Sequence, residues 1–552
     1  MIKTILAILL ALLYSIAYCV IGPMTKAQNF SFSSSQILPL LLCFVLCSIF
    51  NILMFSVIPK IHFDWKSERI NGWLDKLGKF KFFLIVWAFI FVSWIPAYLI
   101  LYPGVLAYDM PSQVRSALGT IDLNHHPVLH TWLIRVFLKI GNNLFSSYEF
   151  GIGLLSLLQM LLLSYALARL VSLLKKKNVP VWFVLGTTLV SALWFMNACL
   201  SVTMIKDTLH AAFLILFACH FTEIVLNPLE YSKQKRNLIL LPIVSFFMCA
   251  FRNNGIHIYV FCFAVLAVLW IIKIKKVKAF IPLIIAILLP VFMFKIYSGP
   301  VFEALNIQQG EVREALSVPI QQLQRVAINK AGELTEDQAY LMNYYITDLA
   351  WREWDPGRKY DPFVADPAKS CFISVHYNED PKFFWNFYLE TGKQFSKEYV
   401  AAFLSNTVGF WYPGFYEQSY VVYEDYPSEE FDVPLERKSI VNAEGLKTFY
   451  ESVCQSEFWR KTPVVRLFFV TGFAPWILCY ALILAWKKKG FFTKVFPLFL
   501  PMIAQYGIMI LSPIASFRYS WPYFLMLPLC FIAIWGRTEV SEHKATETIG
   551  EV

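Results

Sequence analysis

Charge is scarce in this sequence: only 16% of its 552 residues are Asp, Glu, Lys or Arg, while 57% are hydrophobic. A water-soluble core cannot bury that much apolar surface, so lipid must be the solvent. The runs 37–58, 82–102 and 238–250 hold no charged residue at all, and most such runs approach the roughly 20 residues that a spanning helix needs. In hydrocarbon an unpaired backbone N–H or C=O is costly, so these runs are expected to be helices. The chain also lacks an internal repeat and a low-complexity tract. No small-x-small cleavage site follows the first apolar run, 5–20, which is therefore read as a retained span.

The few charges are unevenly placed. Of the 38 acidic and 48 basic residues, 25 and 15 fall within 300–462, making that stretch acidic and the remainder strongly basic. The basic excess sits in short loops, where it sets topology and gives no reason for a nucleic-acid partner. Spans are expected near 4–22, 37–58, 82–102, 149–172, 180–197, 208–226, 237–251, 256–272, 279–298, 463–486, 495–512 and 517–536. With the N-terminus inside, the Lys/Arg-rich loops at 60–81, 175–177, 233–236, 273–278 and 487–489 all fall in the cytoplasm, as the positive-inside rule requires. This holds only if 128–142, which carries Arg135 and Lys139, lies on the outer interface as an amphipathic helix with its basic residues toward headgroup phosphates.

The expected fold class is thus an all-α polytopic membrane protein of about twelve transmembrane helices, located in the cell membrane with both termini cytoplasmic. An N-terminal transmembrane module, 1–299, contains a first external loop, 103–148, with surface helices. A mainly α soluble extracytoplasmic domain, 300–462, precedes C-terminal transmembrane helices at 463–536 and a cytoplasmic tail at 537–552. Nine of the eleven cysteines lie in or beside spans, where cysteine acts as a small hydrophobe. Cys371 and Cys454 are the two in the soluble domain and are disulfide candidates if that compartment is oxidising.

Unusual polar residues gather at the outer ends of the expected helices. The first external loop carries Tyr102-Pro103-Gly104, Tyr108-Asp109-Met110-Pro111-Ser112-Gln113 and His125-His126-Pro127, and later outer turns carry Lys206-Asp207, Arg252-Asn253-Asn254 and Ser516-Phe517-Arg518-Tyr519. Each has an ordinary explanation. Asp109 suits the cap of a short helix with Pro111 in its first turn, and Asp207 suits a cap with Lys206 as its local partner. The histidines fit an interfacial turn, and Arg252 and Arg518 fit arginines snorkelling to headgroups. Their coincidence on one membrane face points further. Guanidinium forks match phosphate oxygens, and a nearby carboxylate can deprotonate a hydroxyl or hold a divalent cation.

In this layout the chain resembles the GT-C superfamily of membrane glycosyltransferases, which includes protein O-mannosyltransferases and the lipid A aminoarabinose transferase. It is similar to an uncharacterised bacterial family within that superfamily through Tyr102-Pro103-Gly104 with Asp109, His125-His126-Pro127, Arg252-Asn253-Asn254-Gly255 and Ser317-Val318-Pro319-Ile320-Gln321-Gln322. The resemblance implies an inverting transfer of a sugar from a polyprenyl-phosphate carrier to an extracytoplasmic acceptor. Asp109 would be catalytic, and Arg252, Arg518 and Lys206 would bind the donor phosphate. His125, His126, Gln113 and Asn253 would bind substrate or a possible divalent metal, for which relatives often supply a second acid where this chain has Asp122. Gln321, Gln322 and Arg325 are further candidates from the external domain, against a reading as an ordinary amphipathic helix with Leu323 and Val326 inside. Aromatics at Trp351, Trp354, Trp385, Trp411, Tyr412, Phe415 and Tyr416 suit sugar stacking but equally a domain core or interface anchors. The rival functions are a transporter or flippase of lipid-linked saccharides, which would need broken helices near the midplane, and a non-catalytic scaffold.

Overall fold

A computed structural model describes residues 2–57, 72, 74–121, 123–270, 280–346, 360–415, 435, 439–454, 462 and 470–536. The described residues are overwhelmingly helical, and eight helices are long and apolar enough to cross a membrane: Ile2–Ala27, Ser34–Val57, Gly78–Ile100, Tyr148–Lys176, Lys206–Leu226, Ile281–Ala304, Phe491–Ile510 and Phe517–Trp535. A ninth candidate is a bent pair, Val181–Leu193 and Phe195–Val202, with 49° between its halves. Where the other spans were expected, the helices are shorter: Lys235–Phe251, Gly255–Trp270 and Thr471–Ala485. The protein is therefore an all-α membrane protein whose only paired strands, among the described residues, are two residues long.

The helices differ sharply in how they use their apolar surface. Lys206–Leu226 has 89% of its most apolar window buried and Ser34–Val57 only 6%, so the first is the axle of the bundle and the second a peripheral helix with an open apolar face. Tyr148–Lys176 shows how such helices are delimited. Ser147 accepts the Phe150 N–H as N-cap, Glu149 sits in the first turn, and Lys175 and Lys176 sit in the last, each matched to the helix dipole. This helix forms a tight hairpin with Val128–Phe145. A Cβ on Gly151 would strike the Phe137 carbonyl, so only glycine lets the backbones approach this closely.

Val128–Phe145 is amphipathic, as expected, burying Val128, Thr131, Ile134, Leu138 and Gly141. Its Arg135 does not face headgroups, however. The guanidinium donates to the Ser116, Ala117 and Gly119 carbonyls, closing the C-terminal end of the short helix Met110–Leu118. Those carbonyls have no intrahelical donors, and the guanidinium N–H groups supply them.

Two irregular segments cross where the site lies. After Gly78–Ile100 the chain turns through Gly104, whose φ of 147° is open to glycine alone and whose Cα packs on Ser156 and the Val202 carbonyl. Val105 then runs parallel to Thr203, its N–H donating to Val202 O at 3.0 Å and its carbonyl accepting from Met204 N at 2.8 Å. This pairing satisfies backbone groups that the break between Phe195–Val202 and Lys206–Leu226 would otherwise leave bare.

A second hydrophobic core, built from Leu316, Ile320, Leu323, Tyr345, Phe384 and Phe387 among others, holds the helices Ser317–Asn329, Glu336–Tyr345, Pro381–Gln394 and Ser396–Trp411 together. It meets the membrane helices at the turn before Phe517–Trp535, where Ala365 N–H donates to Pro513 O at 2.7 Å and Asn406 Nδ2 to Ser512 O at 3.0 Å. Trp385 packs on Phe384 and Tyr388, and Tyr412 and Phe415 form a small core with Val408 and Trp411. Tyr412 and Phe415 are thus core residues, whereas Trp385 keeps an exposed face. Trp351, Trp354 and Tyr416 lie outside the described residues, as do the Cys454 side chain needed for a pairing with Cys371 and the segment 537–552.

Candidate functional site

Asp109 occupies the N-cap position of Met110–Leu118, but its side chain caps nothing. Its Oδ2 instead accepts from Lys206 Nζ at 2.8 Å and from the Arg518 guanidinium at 3.4 Å. The first contact depends on the Val105–Thr203 pairing, which brings the first loop beside the start of Lys206–Leu226. The second depends on the Ser512–Ser516 turn, on which the second hydrophobic core rests. About a third of the Asp109 side chain (33%) stays accessible, against 17% for Lys206 and 10% for Arg518, so the carboxylate is the open member of a mostly buried trio.

A second carboxylate lies behind it. Asp207 is fully buried in the first turn of Lys206–Leu226 and ion-pairs with Arg252. Its Oδ2 has no hydrogen-bond partner among the described residues. The arginines are joined through Tyr519: Arg252 lies 4.6 Å and Arg518 4.8 Å from the ring centroid, and Arg518 also donates to the Tyr519 hydroxyl at 2.9 Å. Arg518 further stacks 4.2 Å from the Tyr108 ring, and its buried Nε lacks an acceptor among the described residues. Aromatic faces suit guanidinium and fix its plane without neutralising it. The network thus sets three cations against two carboxylates and keeps unused polar atoms inside.

This geometry corrects several expectations. Asp207 and Lys206 are not a local cap pair: Ile205 is the N-cap of their helix, and the two side chains leave for different partners. Arg252 and Arg518 do not snorkel, since both are drawn inward by carboxylates and Tyr519. Gln113 is not open to substrate; it is buried and paired with His130 Nδ1 at 2.6 Å, a scaffold contact within the loop. Gln321, Gln322 and Arg325 each bind partners outside the charged cluster. Gln321 binds the Asp361 carbonyl, Gln322 the Tyr399 carbonyl and Tyr388 hydroxyl, and Arg325 pairs with Glu398 at 2.9 Å and Gln28 at 2.6 Å, tying the helices of the second core to the segment after Ile2–Ala27.

His126 does join the cluster, with Nδ1 3.5 Å from Lys206 Nζ and its ring 4.5 Å from that of the exposed His125. Burial, reinforced by the Lys206 ammonium, pushes His126 down to about 3, so at neutral pH it is an uncharged acceptor. Burial alone would raise Asp109, but Lys206 and Arg518 outweigh it and hold the carboxyl well below the usual range. Burial pushes the Tyr108 hydroxyl up. Among the described residues no three His, Cys, Asp or Glu side chains form a metal-holding group, and a divalent cation on Asp109 would face two resident cations. Asp122 lies outside the described residues.

The histidine makes a pH prediction. Between the ordinary histidine value near 6.5 and about 3 the unfolded chain binds a proton that folded His126 does not, so its contribution to stability falls as pH falls through that window. Asp109 and Lys206 face this ring from their own segments, and His125 and His130 from the loop. His126→Gln should lose less melting temperature than wild type between pH 7 and pH 4; an unchanged pH dependence refutes the assignment.

The residues that sequence reasoning missed, Tyr108, Tyr519 and His130, all lie within or beside the motifs already quoted. Asn253 Nδ2 lies 3.4 Å from Asn124 Oδ1, at the rim rather than in the charged network. No curated protein and no solved structure matches the chain. A family model covering residues 117–548 does match, a span that includes His126, Lys206, Asp207, Arg252 and Arg518 and begins after Asp109. The chain therefore belongs to the family described as a family of unknown function (DUF6020).

Proposed function

We propose that the protein is a GT-C-type glycosyltransferase that moves a sugar from a polyprenyl-phosphate donor to an acceptor outside the cytoplasm. The observation that carries this reading is the open Asp109 carboxylate held by Lys206 and by an Arg518 whose buried Nε still lacks an acceptor. Phosphate oxygens are the natural acceptors for that guanidinium and for the neighbouring ammonium. In this reading about twelve helices span the membrane with both termini cytoplasmic, 300–462 is an extracytoplasmic domain, and the cluster lies at the outer lipid surface.

The donor phosphate binds Arg518, Lys206 and Arg252 and draws the first two away from Asp109. The carboxylate then becomes a stronger base, because the cations that depress it now neutralise phosphate. The acceptor oxygen attacks the anomeric carbon opposite the phosphate, and its proton passes to Asp109. The bond from that carbon to the phosphate oxygen breaks with its electron pair remaining on polyprenyl phosphate, and a single displacement inverts the centre. No step requires a metal.

Purified protein in lipid, given polyprenyl-phosphate sugars and candidate acceptors, should release polyprenyl phosphate. Arg518→Lys keeps the charge but loses the fork stacked on Tyr108 and Tyr519, and should weaken donor binding about tenfold, the effect of losing one charge-assisted hydrogen bond. Unchanged donor affinity returns Arg518 to a purely structural role. The bent Val181–Leu193 and Phe195–Val202 pair and the non-helical stretch after it favour a second reading, a flippase of lipid-linked saccharides. That reading expects proteoliposomes to move the intact donor between leaflets without releasing polyprenyl phosphate.

A further inference from the structure

Beside the charged network lies a row of amides from three separate elements. Asn124 and Gln309 are paired in the parallel strands β1 (Leu123–Asn124) and β2 (Gln308–Gln309), which join the first loop to the segment after Ile281–Ala304. Asn253 comes from the turn between Lys235–Phe251 and Gly255–Trp270. Asn253 Nδ2 donates to Asn124 Oδ1 at 3.4 Å, Asn124 Nδ2 donates to Gln309 Oε1 at 3.2 Å, and Gln309 Nε2 donates to Ser298 O at 3.0 Å. The first two bonds are long for N–H···O contacts, so their loss is a small cost.

The row is built and open at once. Asn124 is buried, whereas Gln309 is exposed and Asn253 half-buried. Gly310 brings its backbone against Asn124 and His125, leaving no room for a Cβ without displacement. Among the described residues Asn253 Oδ1 accepts nothing, and the ladder uses one N–H of each amide, so each retains donor capacity. Asn253 directly follows Arg252, and Asn124 leads through His125 to His126, which touches Lys206. Among the described residues no charged side chain belongs to the row: Glu311, two residues from Gln309, is paired with Arg313, and Asp122, two residues from Asn124, lies outside the described residues.

We infer that Asn124, Asn253 and Gln309 form a subsite for a neutral, hydroxyl-bearing sugar joined to the phosphate that the arginines bind. This rests on the glycosyltransferase reading and specifies its donor. A carboxamide presents a donor and an acceptor side by side, matching adjacent hydroxyls, whose own bonds replace the long contacts within the row. A cationic amino sugar finds no carboxylate in the row and faces the excess positive charge of the neighbouring network.

The test compares affinities of the full-length protein in nanodiscs for bare polyprenyl phosphate and for the same lipid carrying glucose, galactose, mannose or 4-amino-4-deoxyarabinose. In wild type at least one neutral hexose should tighten binding about tenfold over the bare lipid, the worth of one or two net hydrogen bonds, and the amino sugar should not. Asn253→Ala and Gln309→Ala should each erase most of that gain, with bare-lipid affinity and melting temperature unchanged. Gln309 is exposed, so its variant tests the subsite even if changes nearer Asn124 disturb folding. The inference is overturned if no hexose adds affinity, if the gain survives in both variants, if the bare lipid weakens equally, or if the amino sugar alone binds tighter. Failure of bare polyprenyl phosphate to bind wild type would instead overturn the donor-phosphate reading.

Discussion

Asp109→Asn should abolish sugar transfer while leaving the protein folded and the donor bound. The side chain keeps its size at the start of Met110–Leu118 and loses no helix cap, because Asp109 makes none. What it loses is the base, a change worth about 10²–10⁴ in rate for a positioned proton acceptor. It also loses its charge-assisted contacts to Lys206 and Arg518. Freed of that competitor, both cations should bind polyprenyl phosphate as tightly as before or tighter. Loss of turnover with undiminished donor affinity therefore separates a base from a structural ion pair. Near-normal turnover by the variant removes Asp109 from the chemistry.

The elements of this site were legible because topology constrains a membrane chain so tightly. The topology expected from the charged loops places Asp109, Lys206, Arg252 and Arg518 on one face, and the structure brings the four side chains into one network. Their pairing was not legible. Lys206 and Asp207 are adjacent in sequence, yet neighbouring residues on a helix point roughly 100° apart and do not face each other. Lys206 consequently reaches Asp109, and Asp207 reaches Arg252. The partners of Gln113 and Arg325 were hidden for a related reason. Pattern marks them as the polar side of an amphipathic helix, and only tertiary packing covers that side with His130 or with Glu398 and Gln28. Helix lengths were overestimated near 180–197 because the break at Trp194 carries no glycine or proline to announce it.

Asp207 offers the largest expected effect on stability. It is fully buried, and Arg252 is its ion-pair partner, with Arg518 as the next cation beyond Tyr519. Asp207→Asn leaves the Arg252 guanidinium largely buried without its counter-charge, and breaking one side of such a pair costs about 3–5 kcal/mol. The variant should unfold at markedly lower temperature in detergent. Adding Arg252→Gln removes the stranded charge and should recover most of the loss, since a neutral amide pair satisfies itself where a lone cation cannot. Donor binding should not follow stability: the double variant regains its melting temperature but lacks one phosphate ligand, so its affinity for polyprenyl phosphate stays reduced. Recovery of both together would mean that Arg252 serves only to neutralise Asp207, leaving the phosphate to Lys206 and Arg518.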